Sequence, residues 1–303
     1  MALKKKLTVR KAIAFVMLSV LLVSLVTWYF TRETLPGRVR IATGSTGGLY
    51  HDFTLRVKKL LEDRFSLKVE LVSTSGSNSN RQRLLGEAGV EVADLAVVQG
   101  GAVSMKDLFV VAPIYKELVH VIVRKGRGMD SIPDIDGRRV AVGLEGSGMQ
   151  VSAANILNHY QLKVERSPVS FRDLLTDETL DAAIVTSGVF SADLREVLID
   201  ERFVLLPVED AVAFEVKHFF FQSATIPVGL YSEKPYSTPS EELKTVSTTA
   251  SVVVGQGANE QLIEAVLGTI YESELREEFP LLMDRDEAAE SVSYTHLTLP
   301  TKA

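Results

Sequence analysis

The 303-residue sequence contains no cysteine. That excludes a disulfide framework, a thiolate nucleophile and any cysteine-ligated metal. Histidine is scarce and dispersed: His51, His120, His159 and His218 form no H-x-x-x-H pair and have no acid at ligand spacing, and His296 lies in an atypical tail. No metal site is expected from such a pattern. Ser45 and Ser147 lie in glycine-rich turns, but neither sits in G-x-S-x-G, and neither loop reads G-x-x-x-x-G-K-[ST]. A hydrolase or a nucleotide enzyme is disfavoured, and neither a cofactor nor catalysis is expected. Basic clusters are also missing beyond the first eleven residues. The formal charge is −6, and removing the five positive charges of Lys4, Lys5, Lys6, Arg10 and Lys11 leaves −11 for the remainder. That balance argues against a nucleic-acid partner.

Long hydrophobic runs are rare, with one exception. Residues 12–30 are apolar except for Ser19, Ser24 and Thr27, and they end in Trp28, Tyr29 and Phe30. Nineteen residues match the roughly 20 that a helix needs to cross a bilayer, and the terminal aromatics suit an interface. No Ala-x-Ala cleavage pattern follows, so the run is read as an uncleaved inner-membrane anchor. Its basic flank lies in the cytoplasm and the rest of the chain lies outside. The other end departs from the protein's style. Residues 292–303 have no amphipathic period and back-translate into something resembling a library-preparation adapter read in frame. Residues 291–303 are therefore set apart as an artefact tail.

Between these ends, residues 38–65 organise the chain. A short β run at 39–42 enters the loop Thr43-Gly44-Ser45-Thr46-Gly47-Gly48. A helix follows with apolar Leu49, Phe53, Val57, Leu60 and Leu61 at intervals of three and four. The first amides of such a helix lack partners within it and favour an anion or dipole. The pattern continues with strands at 67–73 and 93–98 around a helix at 80–86, which implies a parallel sheet with its polar loops at one edge. Two further β runs, 109–114 and 119–123, are joined through Tyr115-Lys116-Glu117. A second strand–glycine loop–helix unit then follows at 139–160, with Gly143-Leu144-Glu145-Gly146-Ser147-Gly148 as its loop. Strands are expected at 182–185, 203–207 and 246–254, and a last helix at 259–272.

The ligand candidates sit at strand ends and helix starts. Thr43, Ser45, Thr46, Gly47 and Gly48 form the first loop, and Tyr50 follows in the first helical turn. Thr74, Gly76 and Ser77 form the second loop, and Gln99 ends the third strand. Gly146, Ser147 and Gly148 are expected to face the first loop across a cleft, with Thr186 and Ser187 at a later strand end. Two facing helix N-termini can hold a carboxylate without an arginine. For Phe219-Phe220-Phe221, core or interlobe packing is favoured over a partner surface.

Four motifs carry a resemblance. They are Thr43-Gly44-x-x-Gly47-Gly48-x-Tyr50; Thr74-x-Gly76-Ser77-x-x-Asn80; Asp134-Ile135-Asp136-Gly137-Arg138-Arg139-Val140-Ala141-Val142-Gly143-x-x-Gly146-Ser147-Gly148; and Ile226-Pro227-x-Gly229. Over residues 38–271 the chain resembles the TAXI-type solute-binding subunits of TRAP transporters. The resemblance implies a type II periplasmic-binding-protein fold: two Rossmann-like α/β lobes with a hinged cleft, here preceded by one transmembrane helix. Residues 1–37 would be flank, anchor and linker, residues 38–115 with 223–290 lobe I, and residues 116–222 lobe II. The implied ligand is a small carboxylate-bearing solute, an amino acid or organic acid. The implied partners are the two membrane subunits of an ion-coupled importer, with the inner membrane reached through the anchor. The alternative is the ligand-sensing domain of a truncated signalling receptor.

Overall fold

A computed structural model describes residues 2–31, 33–87, 89–232 and 237–293, with the side chains of 2–13, 30–31 and 291–293 set aside. The expected tail falls almost wholly outside the described residues. The chain opens with helix α1 (Ala2–Thr31), whose described side chains, at 14–29, are all exposed. Among the described residues no helix is long and apolar enough to cross a membrane. The expected anchor at 12–30 extends past the described side chains at both ends.

The first lobe is built as strand–loop–helix units. β1 (Arg38–Ala42), α2 (Leu49–Phe65), β2 (Lys68–Val72), α3 (Ser77–Leu84) and β3 (Leu95–Gln99) follow in order. β1 pairs in parallel with β2 on one side and β3 on the other, so the loops after all three strands leave the same edge. α2 buries Leu49, Phe53, Val57, Leu60 and Leu61 on the lobe's core, the stripe that its spacing dictates. Phe53 meets the rings of Tyr115 and Phe279 at 6.5 and 5.6 Å between centroids, an edge-on arrangement suited to aromatic quadrupoles.

The expected pair of β runs at 109–114 and 119–123 is one strand, β4 (Leu108–Arg124). At about 3.3 Å per residue it reaches roughly 55 Å, enough to pass through both lobes. Two bulges interrupt its ladder, so Ile114 has no partner on the neighbouring strand. Pro113, which has no N–H to donate, is tolerated at such an irregularity, and the carbonyl of Ile114 accepts instead from Met283 N at 2.8 Å. Lys116 and Glu117 break the apolar pattern without ending the strand.

The second lobe contains β5 (Arg139–Ala141), α4 (Met149–His159), β6 (Glu165–Ser167), β7 (Ala182–Ser187), α5 (Ala192–Leu198), β8 (Phe203–Leu206), α6 (Ala211–Lys217) and β9 (Gln222–Ile226). α5 and α6 were not anticipated, because seven residues give too little periodicity to read. The chain returns through β10 (Leu243–Gly255), then α7 (Glu260–Ile270), α8 (Ser273–Glu278) and α9 (Arg285–Ser293). The sheet order is β2-β1-β3-β10-β4-β7-β5-β6, with β8 also on β4 and β9 on β10. β4 and β10 are the antiparallel pair that joins the lobes. The return comes later than the expected residue 223. Ile226, Tyr231 and Leu243 pack in the second lobe's cluster, whereas Ala250, Val252, Leu262 and Ile270 belong to the first.

Candidate functional site

Three helices converge where the lobes meet, and each starts on a glycine with no side-chain cap: α2 on Gly48, α3 on Gly76 and α4 on Gly148. Their first amides must find acceptors elsewhere. For α3 the acceptor comes from the opposite lobe, since the Asn78 and Ser79 amides donate to the Gly146 carbonyl at 3.0 and 3.4 Å. Gln99 crosses in the same direction, with its Nε2 donating to Ser152 Oγ at 2.6 Å and to the Gly148 carbonyl at 3.3 Å. The Gly146–Gly148 loop therefore closes on the α3 start and Gln99, while the first loop lies near α5, with Asp193 about 3.8 Å from a Cβ placed on Gly47. The seam needs glycine at two points. A Cβ on Gly148 would sit 2.8 Å from Gln99 Oε1 and 2.9 Å from Ser77 Oγ. Gly76 has φ +129°, and its Cβ would press on the Ser147 backbone at 3.2 Å.

The closed seam leaves a cavity of about 110 Å³. That is small against the 300–1,000 Å³ of drug-sized pockets, so only a small solute fits. Ten of the expected residues line it. Ser45, Gly48 and Tyr50 come from the first loop and α2, and Gly76, Ser77 and Gln99 from the rest of the first lobe. Ser147, Gly148, Thr186 and Ser187 come from the second lobe. The other five lie off its wall. Thr43 is fully buried and donates to the Gly44 carbonyl at 2.9 Å. Thr74 ties the loops together, donating to the Thr43 carbonyl at 2.7 Å and accepting from the Gly76 amide at 3.1 Å. Gly146 serves the seam, and Thr46 and Gly47 are exposed.

Two hydroxyls in this wall stand out. Ser147 Oγ and Thr186 Oγ1 are buried, with their residues 5% and 2% exposed, and neither has a hydrogen-bond partner. Buried polar atoms are nearly always paired, and leaving one unpaired costs about 1–3 kcal/mol. Two such atoms in one wall offer donors and acceptors to a bound solute.

The charged residues of the wall are both acids, Glu117 and Asp193; among the described residues no Lys, Arg or His lines it. Asp193 faces Arg172 at 3.4 Å. Glu117, in the middle of β4, accepts from Tyr50 Oη at 2.9 Å, and burial pushes its carboxyl up to about 8. Burial also raises the Tyr50 phenol well above its ordinary value, with Glu117 adding to it. Glu117 escaped the sequence reading because an acid after Tyr115-Lys116 looks like a turn. Alternation was the available signal: Tyr115, Glu117 and Val119 share one face of a strand, and both neighbours are buried.

The model of the NMT1-like family matches residues 41–280, most of both lobes. The chain belongs to the NMT1-like family. Solved structures share the fold of this NMT1-like protein at low identity. A protein from Bordetella bronchiseptica RB50 is 14% identical over 88% of this chain and 91% of its own, with a TM-score of 0.56. An ancestral arginine-binding protein bound to arginine is 13% identical over 82% and 96%, with a TM-score of 0.51. The substrate-binding protein of an amino acid ABC transporter is 14% identical over 80% and 96%, with a TM-score of 0.50. The NMT1-like chain therefore has the α/β periplasmic-binding-protein fold expected of it.

Proposed function

We propose that the protein is an extracytoplasmic solute-binding subunit of a TRAP-type importer, of the TAXI kind, that binds a small carboxylate-bearing solute by lobe closure and performs no chemistry on it. The observation that carries this reading is the pair of unpartnered buried hydroxyls, Ser147 Oγ and Thr186 Oγ1, in a cavity between two lobes. The uncapped starts of α2 and α4 beside them supply amides and partial positive charge for a carboxylate, while the α3 amides are taken by the Gly146 carbonyl. The arginine-binding and amino acid-transporter proteins of the same fold support an amino acid as the solute.

Closure follows from the seam. The bonds from Asn78, Ser79 and Gln99 to the second lobe are each worth about 0.5–1.5 kcal/mol net, because water replaces them when the lobes part. So small a balance leaves the open and closed states close in energy, and a solute touching both lobes shifts the population toward closure. The closed form is then what the membrane subunits recognise. The anchor fits this role. The described side chains at 14–29 are exposed and mostly apolar, the kind of surface that a bilayer would cover if the expected anchor at 12–30 tethers the subunit.

The test is uptake. The full chain, reconstituted with TRAP membrane subunits in vesicles under an ion gradient, should drive accumulation of a labelled solute that the chain binds. Binding without uptake would move the assignment to a sensing receptor. Turnover of the solute would overturn the non-enzymatic reading.

A further inference from the structure

The linker between α1 and the first lobe is bonded along nearly its whole length. Glu33 Oε2 accepts from the Glu260 amide at 2.7 Å, and the Thr34 carbonyl accepts from Asn259 Nδ2 at 3.0 Å, so both grip the start of α7. Leu35 packs on the first lobe's core, and the Gly37 carbonyl accepts from the Lys68 amide at 3.0 Å just before β1 begins. A single residue separates Glu33 from the end of α1 at Thr31. We propose that this strap stands the protein upright on a bilayer holding residues 12–30, with one edge of the first lobe seated on the lipid surface and the second lobe directed away from it. This inference rests on the proposed anchor and adds the face that meets the membrane.

The edge is the one at which the chain enters the lobe. The ladders place the starts of β1 and β2 side by side, at Arg38 and Lys68, and the end of β10 beside the start of β4, at Gly255 and Leu108. Along β10, Val253 stands opposite Ala96 and Ala250 opposite Gln99. Gly255 therefore lies at the end of the sheet where β1 begins, and Gln99 at the cavity end. Among the described residues the first lobe has five exposed large apolar side chains: Leu55, Phe65, Val92, Met105 and Phe109. Four of them flank this edge. Phe65 ends α2 just before β2, Val92 precedes β3, Met105 turns into β4 and Phe109 is the second residue of β4. Apolar and aromatic side chains grouped at one rim suit a lipid interface. Charge does not select the edge. Arg38 and Lys68 both face Glu70, at 3.5 and 3.4 Å, and Lys106 is exposed beside Asp107. With both signs present, the tether and the apolar contacts hold the edge down, not anionic headgroups.

The stance fixes heights and assigns the motion. The five residues of β1 rise from the edge to the cavity. At about 3.3 Å each they put the cavity roughly 17 Å above the edge. β4 continues in the same direction to Arg124, so the far end of the second lobe stands roughly 55 Å up. The strap grips the first lobe alone. Closure therefore moves the second lobe while the first keeps its place on the membrane.

The experiment exploits the absence of cysteine, which makes an introduced one the sole labelling site. The full chain carries a fluorophore on Gln256→Cys, next to Gly255, or on Glu201→Cys, just before the β8 residue that pairs with Arg124. It is placed in lipid nanodiscs with an energy acceptor on the headgroups. Transfer should be about threefold or more stronger from Gln256→Cys, because roughly 55 Å of β4 separates the two ends. Glu33→Gln combined with Asn259→Ala should free the strap and bring the two signals together. Phe65→Ser combined with Phe109→Ser should lower the Gln256→Cys signal, whereas high salt should leave it unchanged. The comparison of the two labels stands whether or not those variants fold. Equal transfer from both labels would overturn the upright stance and leave the anchor intact. A folded strap variant that keeps the original ratio would overturn the role of the strap. A chain that does not float with the lipid would overturn the anchor and the inference together, without touching solute binding.

Discussion

α2, α3 and α4 start on Gly48, Gly76 and Gly148 with no side chain over their first amides. α5 and α7 start on Ser191 and Asn259, whose side chains accept from the Leu194 and Leu262 amides at 3.3 and 2.9 Å. The three glycine starts all line the cavity, whereas α6 and α8 start on Asp210 and Glu272, also with no side-chain cap, away from it; of the capped starts, Ser191 sits in the wall and Asn259 does not. Glycine in place of a capping side chain costs only a few tenths of a kcal/mol, so three glycine starts at one place leave amides bare at little expense to the fold. The bare amides of α3 are used to close the lobes, and those of α2 and α4 remain for a ligand. The glycine starts lie where the lobes close and a solute would bind, and the capped start of α7 lies away from them.

The largest effect expected from breaking this contrast is at Gly148. A side chain there would wedge Gln99 and Ser77 apart, and overpacking of this kind costs about 1–3 kcal/mol. Gly148→Val should weaken solute binding up to roughly a hundredfold, measured by titration calorimetry, with its melting temperature little changed because the load falls on the closed state.

The acid at the cavity floor gives the next effect. Glu117 rises from 4.5 to about 8 in the folded protein, so the folded state holds the proton longer than the unfolded one. Its stability contribution is complete below pH 4.5 and is lost as pH rises toward 8. His120 runs the opposite way: burial lowers it from 6.5 to about 4, so its effect appears as pH falls below 6.5. Between pH 6.5 and 8 only Glu117 of this pair acts. Unfolding of the wild type should lose up to roughly 1.4 kcal/mol per pH unit there relative to Glu117→Gln. Equal slopes in urea unfolding stability would refute the buried acid.

Smaller still is the control on the other side of the comparison. Asn259→Ala removes a cap outside the cavity and should cost about 1 kcal/mol, a fall of roughly 2–4 °C in melting temperature, with solute affinity unchanged. A loss of affinity in that variant would erase the distinction between the two kinds of helix start.

Much of this was legible in the chain itself. α2 announced its buried stripe and its glycine loop, Ser147 was readable as part of a second glycine loop, and Gln99 and Thr186 as polar residues at strand ends. β4 was not readable as one strand, because Pro113 and Lys116-Glu117 look like interruptions until β10 and Met283 are seen to satisfy the backbone around them. Glu117 was missed for the same reason. The seam was half read: the expected facing of two glycine loops left out α3, whose amides take the Gly146 carbonyl. Sequence periodicity reports which face of an element is apolar, not which lobe supplies a helix start with its acceptor. Phe219-Phe220-Phe221 divides in the same way: Phe221 is buried, Phe220 lies over Gly101, and Phe219 is 71% exposed.

The most direct test of the account is differential scanning calorimetry of the full chain and Thr186→Val, each with and without the bound amino acid. If the Thr186 hydroxyl is left unpaired for a ligand, its isosteric removal should raise the melting temperature of the empty protein and shrink the further rise caused by the solute. A lower melting temperature for empty Thr186→Val, with the solute-induced rise intact, would show that the hydroxyl serves the fold and would contradict the account.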